Sequence, residues 1–166
     1  MPASRISFEL NGAPVEVEIS TQTSPQAMLL QVLRGVLEHC GTRVGCSEGY
    51  CGACTIWLDG RPVQACTLPV SAVAGRSVTT IEMATHERWI ARVQNLFLEE
   101  QAAQCGYCSN GLIMGLAGLM KDNPVLTRAQ ILHWLDERHL CRCGAHPRLI
   151  KVVDRLVALQ AAGGSA

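Results

Sequence analysis

The sequence predicts an α+β protein, in which a small mixed β-sheet with one helix precedes a unit of four helices. Two observations support this fold class. Apolar and polar residues alternate in short segments up to about Glu82, and beyond it apolar residues recur at helical spacing. We therefore place a boundary within residues 82–88, which gives a first domain over residues 1–82, a second over 88–160 and a disordered tail over 161–166.

Two hairpins and one further strand make up the predicted sheet. Residues 6–10 and 15–19 alternate on either side of Asn11-Gly12, and residues 55–58 and 62–65 flank Asp59-Gly60. Both dipeptides favour the tight turns that connect antiparallel strands. The last strand is predicted over residues 78–81, where β-branched side chains dominate.

A single helix is predicted to lie across this sheet. Ser24 followed by Pro25 has the form of an N-cap and a first helical residue, and apolar side chains then recur at helical spacing over residues 28–37. The helix should end near His39 and Gly41.

The second domain is predicted to be a four-helix bundle. Apolar side chains recur at helical spacing over residues 89–97 and again over residues 112–119, which predicts the first two helices. Thr127 and Gln130 fit a capping box that opens the third helix, and Pro147 can open the fourth.

Composition argues against several classes of function. The 14 Lys and Arg residues balance the 14 Asp and Glu residues, so there is no basic field to attract nucleic acid. Aromatic residues make up 4% of the chain, which leaves little material for base stacking. No apolar run approaches the roughly 20 residues that cross a bilayer, and the N-terminus has no secretory signal pattern. We expect neither a nucleic-acid partner nor a direct membrane span.

Cysteine is the residue type that carries chemistry in this sequence. The chain has nine cysteines, an odd number without a secretory context, which disfavours a disulfide scaffold. Cys40 is expected to be an ordinary free thiol. The other eight divide into two quartets, the natural count for two four-thiolate sites. The first quartet is Cys46, Cys51, Cys54 and Cys66, and the second is Cys105, Cys108, Cys141 and Cys143.

The first quartet has the spacing of plant-type [2Fe–2S] ligands, C-x4-C-x2-C with a distant fourth cysteine. Structural zinc sites favour paired C-x2-C knuckles instead. Three glycines would let the backbone bend sharply around a cluster, and we expect a positive φ at Gly45, Gly49 and Gly52. Backbone N–H groups in such a loop can also donate hydrogen bonds to the sulfur atoms.

The second quartet is less specific by itself. A C-x2-C pair followed much later by C-x1-C could also clasp a zinc ion between helix ends. Both pairs fall at predicted helix junctions, so two junctions can meet around one cluster. The spacing alone therefore leaves a second iron–sulfur cluster and a structural zinc ion as alternatives.

Three segments carry a resemblance that covers nearly the whole chain. They read VGCSEGYCGACTIWLDGRPVQAC, EQAAQCGYCSNGLIMG and LCRCGAHPRLIKVV. Together they resemble the iron–sulfur subunit of the xanthine oxidase family of molybdenum hydroxylases. Within that family, CRCG followed by AHPR is similar to the bacterial small subunits of nicotinate and isoquinoline oxidoreductases.

The resemblance implies a fold and a set of cofactor contacts. It implies a β-grasp, plant-type ferredoxin-like domain with one [2Fe–2S] cluster on the first quartet, and a four-helix domain with another on the second. A large partner subunit would bind most of the molybdopterin. Gln104 would donate or accept a hydrogen bond at the pterin, and Cys143 would link its cluster to the pterin edge.

The same resemblance implies the function of an electron-transfer subunit in a molybdopterin-dependent hydroxylase of aldehydes or N-heterocycles. Electrons would pass singly from molybdenum to the C-terminal cluster, then to the N-terminal cluster, and on to a flavin subunit or a cytochrome. We find no P-loop, dinucleotide fingerprint, H-E-x-x-H or G-x-S-x-G motif, so no catalytic residue is assigned to this chain. The alternatives are a free-standing two-cluster carrier and, with less support, a zinc-clasped interaction module.

Location follows from the same reasoning. Cluster assembly favours the cytoplasm, whereas a partner that carries a twin-arginine signal could export the folded complex to the periplasm or to a membrane-associated site.

Departures from the family pattern fall beside the predicted ligands. Ser47 stands where the family usually has glycine, Ser109-Asn110 replaces a frequent threonine-proline, and Ala145-His146 replaces a glycine-tyrosine. None of them removes a ligand. They argue against assigning a substrate from the commoner xanthine-type members.

Overall fold

A five-stranded sheet with the order β2-β1-β5-β3-β4 forms the N-terminal part of the chain. The computed structural model describes residues 5–20, 23–123 and 125–161. Strands β1 and β5 run parallel and the other neighbours run antiparallel, so the sheet is mixed as predicted. The strands are β1 Arg5–Leu10, β2 Ala13–Glu18, β3 Thr55–Leu58, β4 Arg61–Gln64 and β5 Ser77–Thr79.

Both predicted hairpins are confirmed. In the first, Asn11 and Gly12 have φ values of 55° and 82°, and in the second, Asp59 and Gly60 have values of 50° and 80°. Two successive positive φ angles are what a two-residue hairpin turn needs to match the twist of its strands. The turn residues therefore explain the register of β1 with β2 and of β3 with β4.

The predicted start of the first helix is wrong. Helix α1 spans Leu29–Gly35, and Ser24 and Pro25 instead belong to a turn in which the Ala27 N–H donates to the Ser24 carbonyl at 2.9 Å. The residues before Leu29 are extended because Met28 forms an isolated β-bridge with Pro69. That long-range pairing occupies the backbone groups that a longer helix would use.

Four helices follow a short 3₁₀ segment at Ile81–Thr85, and this confirms the predicted helix count of the second domain. They are α2 Arg88–Glu99, α3 Ser109–Asp122, α4 Arg128–Arg138 and α5 His146–Ala161. The capping box of Thr127 and Gln130 is present at the start of α4. Residue 161 ends α5, and the rest of the predicted tail lies outside the described residues.

Two hydrophobic clusters form the interior. One joins α1 to the sheet, and the other joins α2, α3, α4 and α5. Trp57 of β3 belongs to the second cluster although its strand belongs to the sheet, and its side chain is 1% exposed. Its indole N–H donates to the Met114 carbonyl in α3 at 2.7 Å. The two clusters are therefore packed against each other through this strand.

Within the described ranges 5–20, 23–123 and 125–161, none of the helices combines the length and apolar character needed to cross a bilayer.

Candidate metal centres

The first quartet lies at one end of the sheet. Cys46, Cys51 and Cys54 occupy the loop between α1 and β3, and Cys66 lies in a short 3₁₀ turn directly after β4. Cys54 and Cys66 are buried, whereas Cys46 and Cys51 are half-buried. The hairpin of β3 and β4 thus brings the distant fourth cysteine back to the loop that carries the other three.

Backbone N–H groups surround the sulfur atoms of this quartet. Three of them donate to the Cys46 sulfur at 3.3 to 3.4 Å, those of Glu48, Tyr50 and Cys51. The Cys46 N–H donates to the Cys51 sulfur at 3.2 Å, and the Gly49 N–H donates to the Cys66 sulfur at 3.3 Å. Such donors stabilise negative charge on sulfur, which is the environment that a thiolate-ligated cluster requires.

The pKa values of these thiols follow from the same surroundings. Although burial alone raises it, the N–H donors lower the pKa of Cys46 to about 7. Burial, aided by the neighbouring thiols of Cys66 and Cys51, raises the pKa of Cys54 to about 12. A free thiolate at Cys54 is therefore unfavourable without a positive ion beside it, and iron would supply that charge.

The glycines of the loop do two different jobs. Gly49 and Gly52 have φ values of 82° and 69°, as expected. The expectation of a positive φ at Gly45 is wrong. Gly45 is needed for space, because a Cβ there would overlap the Cys51 sulfur and lie 3.3 Å from the Ala53 Cβ. Ser47 has a φ of 60°, a conformation that favours glycine.

The second quartet lies where two helix junctions meet. Cys105 and Cys108 are in the connection from α2 to α3, and Cys141 and Cys143 are in the connection from α4 to α5. The Cys143 sulfur lies 3.6 Å from the Cys105 sulfur and 3.6 Å from the Cys141 sulfur. The structure thus brings together two cysteine pairs that are more than thirty residues apart in sequence.

Electrostatics connects the fourth thiol of this quartet to the others. Burial raises the pKa of Cys108 to about 12, and the neighbouring Cys141 and Cys143 thiols add to the rise. Backbone and side-chain hydrogen bonds from Cys105 lower the pKa of Cys143. The quartet combines a buried thiol that resists ionisation with an exposed thiol that favours it. A cationic cluster would stabilise the thiolate form of both.

Gln104 is exposed and lies next to this quartet. It lines a cavity of about 280 Å³ whose opposite wall includes Gly144 and Arg148. The Arg148 guanidinium donates to the Gln101 carbonyl at 3.0 Å and so ties the start of α5 to the segment that carries Gln104. Gln104 and the residue after Cys143 therefore face one space. Cys40, by contrast, is an exposed free thiol that belongs to neither quartet.

The two quartets are joined by a backbone hydrogen bond. The Leu140 N–H donates to the Cys51 carbonyl at 3.0 Å, and Leu140 directly precedes Cys141. Gly52 permits this approach, because a Cβ there would overlap the His139 imidazole. The residues that line one cavity of about 500 Å³ come from both quartets. Burial lowers the pKa of His139 to about 4, so this imidazole is neutral at pH 7.

Sequence reasoning missed two residues of this junction. Leu140 contributes through its backbone, which leaves no signature in the sequence. Tyr107 lies between Cys105 and Cys108, and its hydroxyl donates to the Val44 carbonyl beside the first quartet. The position of a tyrosine between two predicted ligands was the signal that could have drawn attention to it.

Two family models match the chain. One, described as a 2Fe-2S iron-sulfur cluster binding domain, matches residues 9–92, and the other, described as a [2Fe-2S] binding domain, matches residues 80–154. One component chain of the nicotinate dehydrogenase of Pseudomonas putida is 41% identical over 150 residues, 90% of this chain and 92% of that protein. The alpha chain of isoquinoline 1-oxidoreductase from Brevundimonas diminuta is 43% identical over 157 residues, 95% of this chain and 99% of that protein.

The chain belongs to the iron–sulfur subunits of the xanthine oxidase family of molybdenum hydroxylases. A crystal structure of quinoline 2-oxidoreductase from Pseudomonas putida 86 contains a chain with the fold of this iron–sulfur subunit. The two superpose with a TM-score of 0.83 and 29% identity, and the match covers 100% of both chains. The predicted fold class and family are confirmed, and the two domain models favour [2Fe–2S] clusters over the zinc alternative.

Proposed function

We propose that this iron–sulfur subunit relays single electrons from a molybdenum centre in a large partner chain, by way of the C-terminal cluster and then the N-terminal cluster, to a flavin subunit or a cytochrome. One observation carries the proposal, the hydrogen bond from the Leu140 N–H to the Cys51 carbonyl. It connects a residue of the first quartet to the neighbour of Cys141 in the second. Electron transfer between the two sites therefore has a short route through protein atoms.

The ligands in this proposal are the two cysteine quartets, with Cys46, Cys51, Cys54 and Cys66 on one cluster and Cys105, Cys108, Cys141 and Cys143 on the other. Each [2Fe–2S] cluster, when bound, supplies one-electron redox chemistry. The chain itself holds the thiolates in place, donates hydrogen bonds to them and keeps the two sites at a fixed separation. We also propose residues 1–82 and 88–160 as the two domains, a division supported by the two hydrophobic clusters.

The direction of transfer is inferred from exposure. Cys105 and the neighbouring Gln104 are exposed at the second quartet, which suits contact with a molybdopterin held by the partner chain. In this proposal Gln104 forms a hydrogen bond with the pterin and Cys143 touches its edge. At the first quartet, Tyr50 is 75% exposed beside half-buried Cys51, which suits contact with the electron acceptor.

The substrate class is proposed from the relatives. The proteins similar to this chain are named for nicotinate, isoquinoline and quinoline. We therefore propose that the complex oxidises an aromatic N-heterocycle. An aldehyde is the second candidate, because an aldehyde oxidoreductase of Megalodesulfovibrio gigas is 35% identical to 82% of this chain. The match covers 15% of that longer protein, so this support is weaker.

The test is to purify the chain together with the proteins that accompany it under mild conditions. We expect iron and acid-labile sulfide for two clusters, a molybdenum-containing partner, and two distinct S = 1/2 signals on reduction. Nicotinate, isoquinoline, quinoline and an aldehyde are then added in turn while cluster bleaching is followed. Recovery of the two-cluster chain with no molybdenum-containing partner would favour the free-standing carrier and overturn the proposal.

A further inference from the structure

Tyr107 belongs to one cysteine loop and bonds to the other. It stands between Cys105 and Cys108 of the second quartet. Its hydroxyl donates to the carbonyl oxygen of Val44, which is two residues before Cys46 of the first quartet. Its side chain is thus a direct connection between the two proposed cluster sites, and it is not itself a ligand.

The segment that receives this hydrogen bond is held from several directions. The Arg43 N–H donates to the Ala53 carbonyl at 3.3 Å, which closes the base of the first cysteine loop. The Arg43 guanidinium carbon lies 5.9 Å from the centre of the Tyr107 ring, within cation–π range. A movement of Tyr107 is therefore passed to the loop through both its hydroxyl and its ring.

A second side chain from the same region reinforces the connection. The Asn110 side-chain amide in the first turn of α3 donates to the Gly41 carbonyl at 2.9 Å. Tyr107 and Asn110 together hold the short segment 41–44 that leads into Cys46. Tyr107 is the nearer of the two to a ligand, because Val44 is separated from Cys46 by Gly45 alone.

Space between the sites makes such a connection necessary. Tyr107 lines the cavity of about 500 Å³ that both quartets share, together with Cys46, Cys51, Cys105 and Cys143. Where a cavity separates two groups, packing does not determine their separation, so individual contacts across it must do so. The Leu140 to Cys51 bond is one such contact, and the Tyr107 to Val44 bond is another.

We propose that Tyr107 is a positioning residue for electron transfer between the two clusters, and that its hydroxyl holds the first cysteine loop at a fixed separation from the second. This inference rests on the proposed function, because it concerns the same relay. One electron passes from a reduced cluster to an oxidised one, and the rate of such tunnelling falls steeply with distance. Loss of the hydroxyl contact would lengthen or broaden the distribution of separations.

The test compares Tyr107→Phe with Tyr50→Phe in the holoprotein, purified with the chains that accompany it. Tyr50 is the other tyrosine of the sequence, also precedes a cysteine ligand, and is 75% exposed. We expect Tyr107→Phe to keep both clusters. We also expect a smaller or broader magnetic splitting between the two reduced clusters at low temperature, and several-fold slower redistribution of an electron between them after photoreduction. Tyr50→Phe should match the wild type in both measurements.

Each outcome decides the matter. Unchanged splitting and an unchanged rate in Tyr107→Phe would overturn the proposal, while two clusters in the wild type would leave the proposed function standing. Loss of a cluster from Tyr107→Phe, with Tyr50→Phe intact, would assign Tyr107 to cluster retention and would also overturn it. A wild type that lacks two clusters would instead refute the proposed function.

Discussion

A side chain at Gly111 would overlap the carbonyl oxygen of Gly52, because the first turn of α3 packs directly on the backbone of the first cysteine loop. The same Cβ would lie 2.9 Å from the Ala53 Cα. Neither neighbour is the movable end of a side chain, so the contact can relax only if the loop shifts. The helical domain therefore supports the loop that carries Cys51 and Cys54.

The first prediction concerns this contact. Gly111→Ala is expected to destabilise the protein by about 1–3 kcal/mol, the usual cost of overpacking a well-packed site. It should also change the electron paramagnetic resonance line shape of the N-terminal cluster, because the loop around that cluster must move. Denaturant unfolding of the holoprotein measures the first effect, and spectra of the reduced protein measure the second.

Gly35→Ala is the matched control, because a Cβ at Gly35 meets nothing within 4 Å and the residue lies in α1. It should be neutral or stabilising by up to about 1 kcal/mol, since alanine restricts the unfolded chain. Equal unfolding midpoints for Gly111→Ala and the wild type would contradict the close contact of α3 with the loop.

Local sequence signals predicted most of the fold. Asn11-Gly12 and Asp59-Gly60 specify their own turns, and the Thr127 capping box specifies where α4 begins. Each of these signals acts within a few residues, so it can be interpreted without knowing the rest of the structure. The two cysteine quartets were predicted in the same way, because ligand spacing is a local property.

Long-range contacts account for what the sequence did not predict. The start of α1 was misplaced because Met28 pairs with Pro69, some forty residues away. Trp57 has the pattern of a strand residue, yet it is buried in the helical cluster and bonds to Met114. The Leu140 to Cys51 bond is made by backbone groups alone. No residue type or spacing announces contacts of these kinds.

The second prediction concerns Ser47, whose φ of 60° is unfavourable for a residue with a Cβ. Ser47→Gly should stabilise the holoprotein by about 1 kcal/mol, because glycine adopts this conformation without steric cost. The measurement is thermal unfolding followed by the visible absorbance of the clusters. Ser47→Ala is the control and should give no gain, since it keeps the Cβ. A gain with alanine equal to that with glycine would show that the backbone conformation is not the cause.

The third prediction assigns the ligands. Cys105→Ser should remove the C-terminal cluster and leave the N-terminal one, so that iron content falls to about half and one of the two resonance signals disappears. Cys54→Ser should remove the other signal. Cys40→Ser should retain both clusters, because Cys40 is an exposed free thiol outside the quartets. Loss of both signals from Cys105→Ser alone would indicate that the sites do not assemble independently and would contradict this assignment.

The fourth prediction concerns Gln104, which faces the cavity beside Cys143 without being a ligand. Gln104→Ala should keep both clusters but weaken the hold on the molybdopterin-bearing partner. Loss of one hydrogen bond, about 1 kcal/mol, corresponds to roughly fivefold weaker association. The measurement is the ratio of molybdenum to iron in the purified complex, together with the dissociation of the partner on dilution. Gln31→Ala, at an exposed position on α1, is the control and should leave the ratio unchanged. If Gln104→Ala instead lost the C-terminal cluster while the partner remained bound, Gln104 would have to be assigned to cluster retention, because a residue that only contacts the pterin has no means of releasing iron.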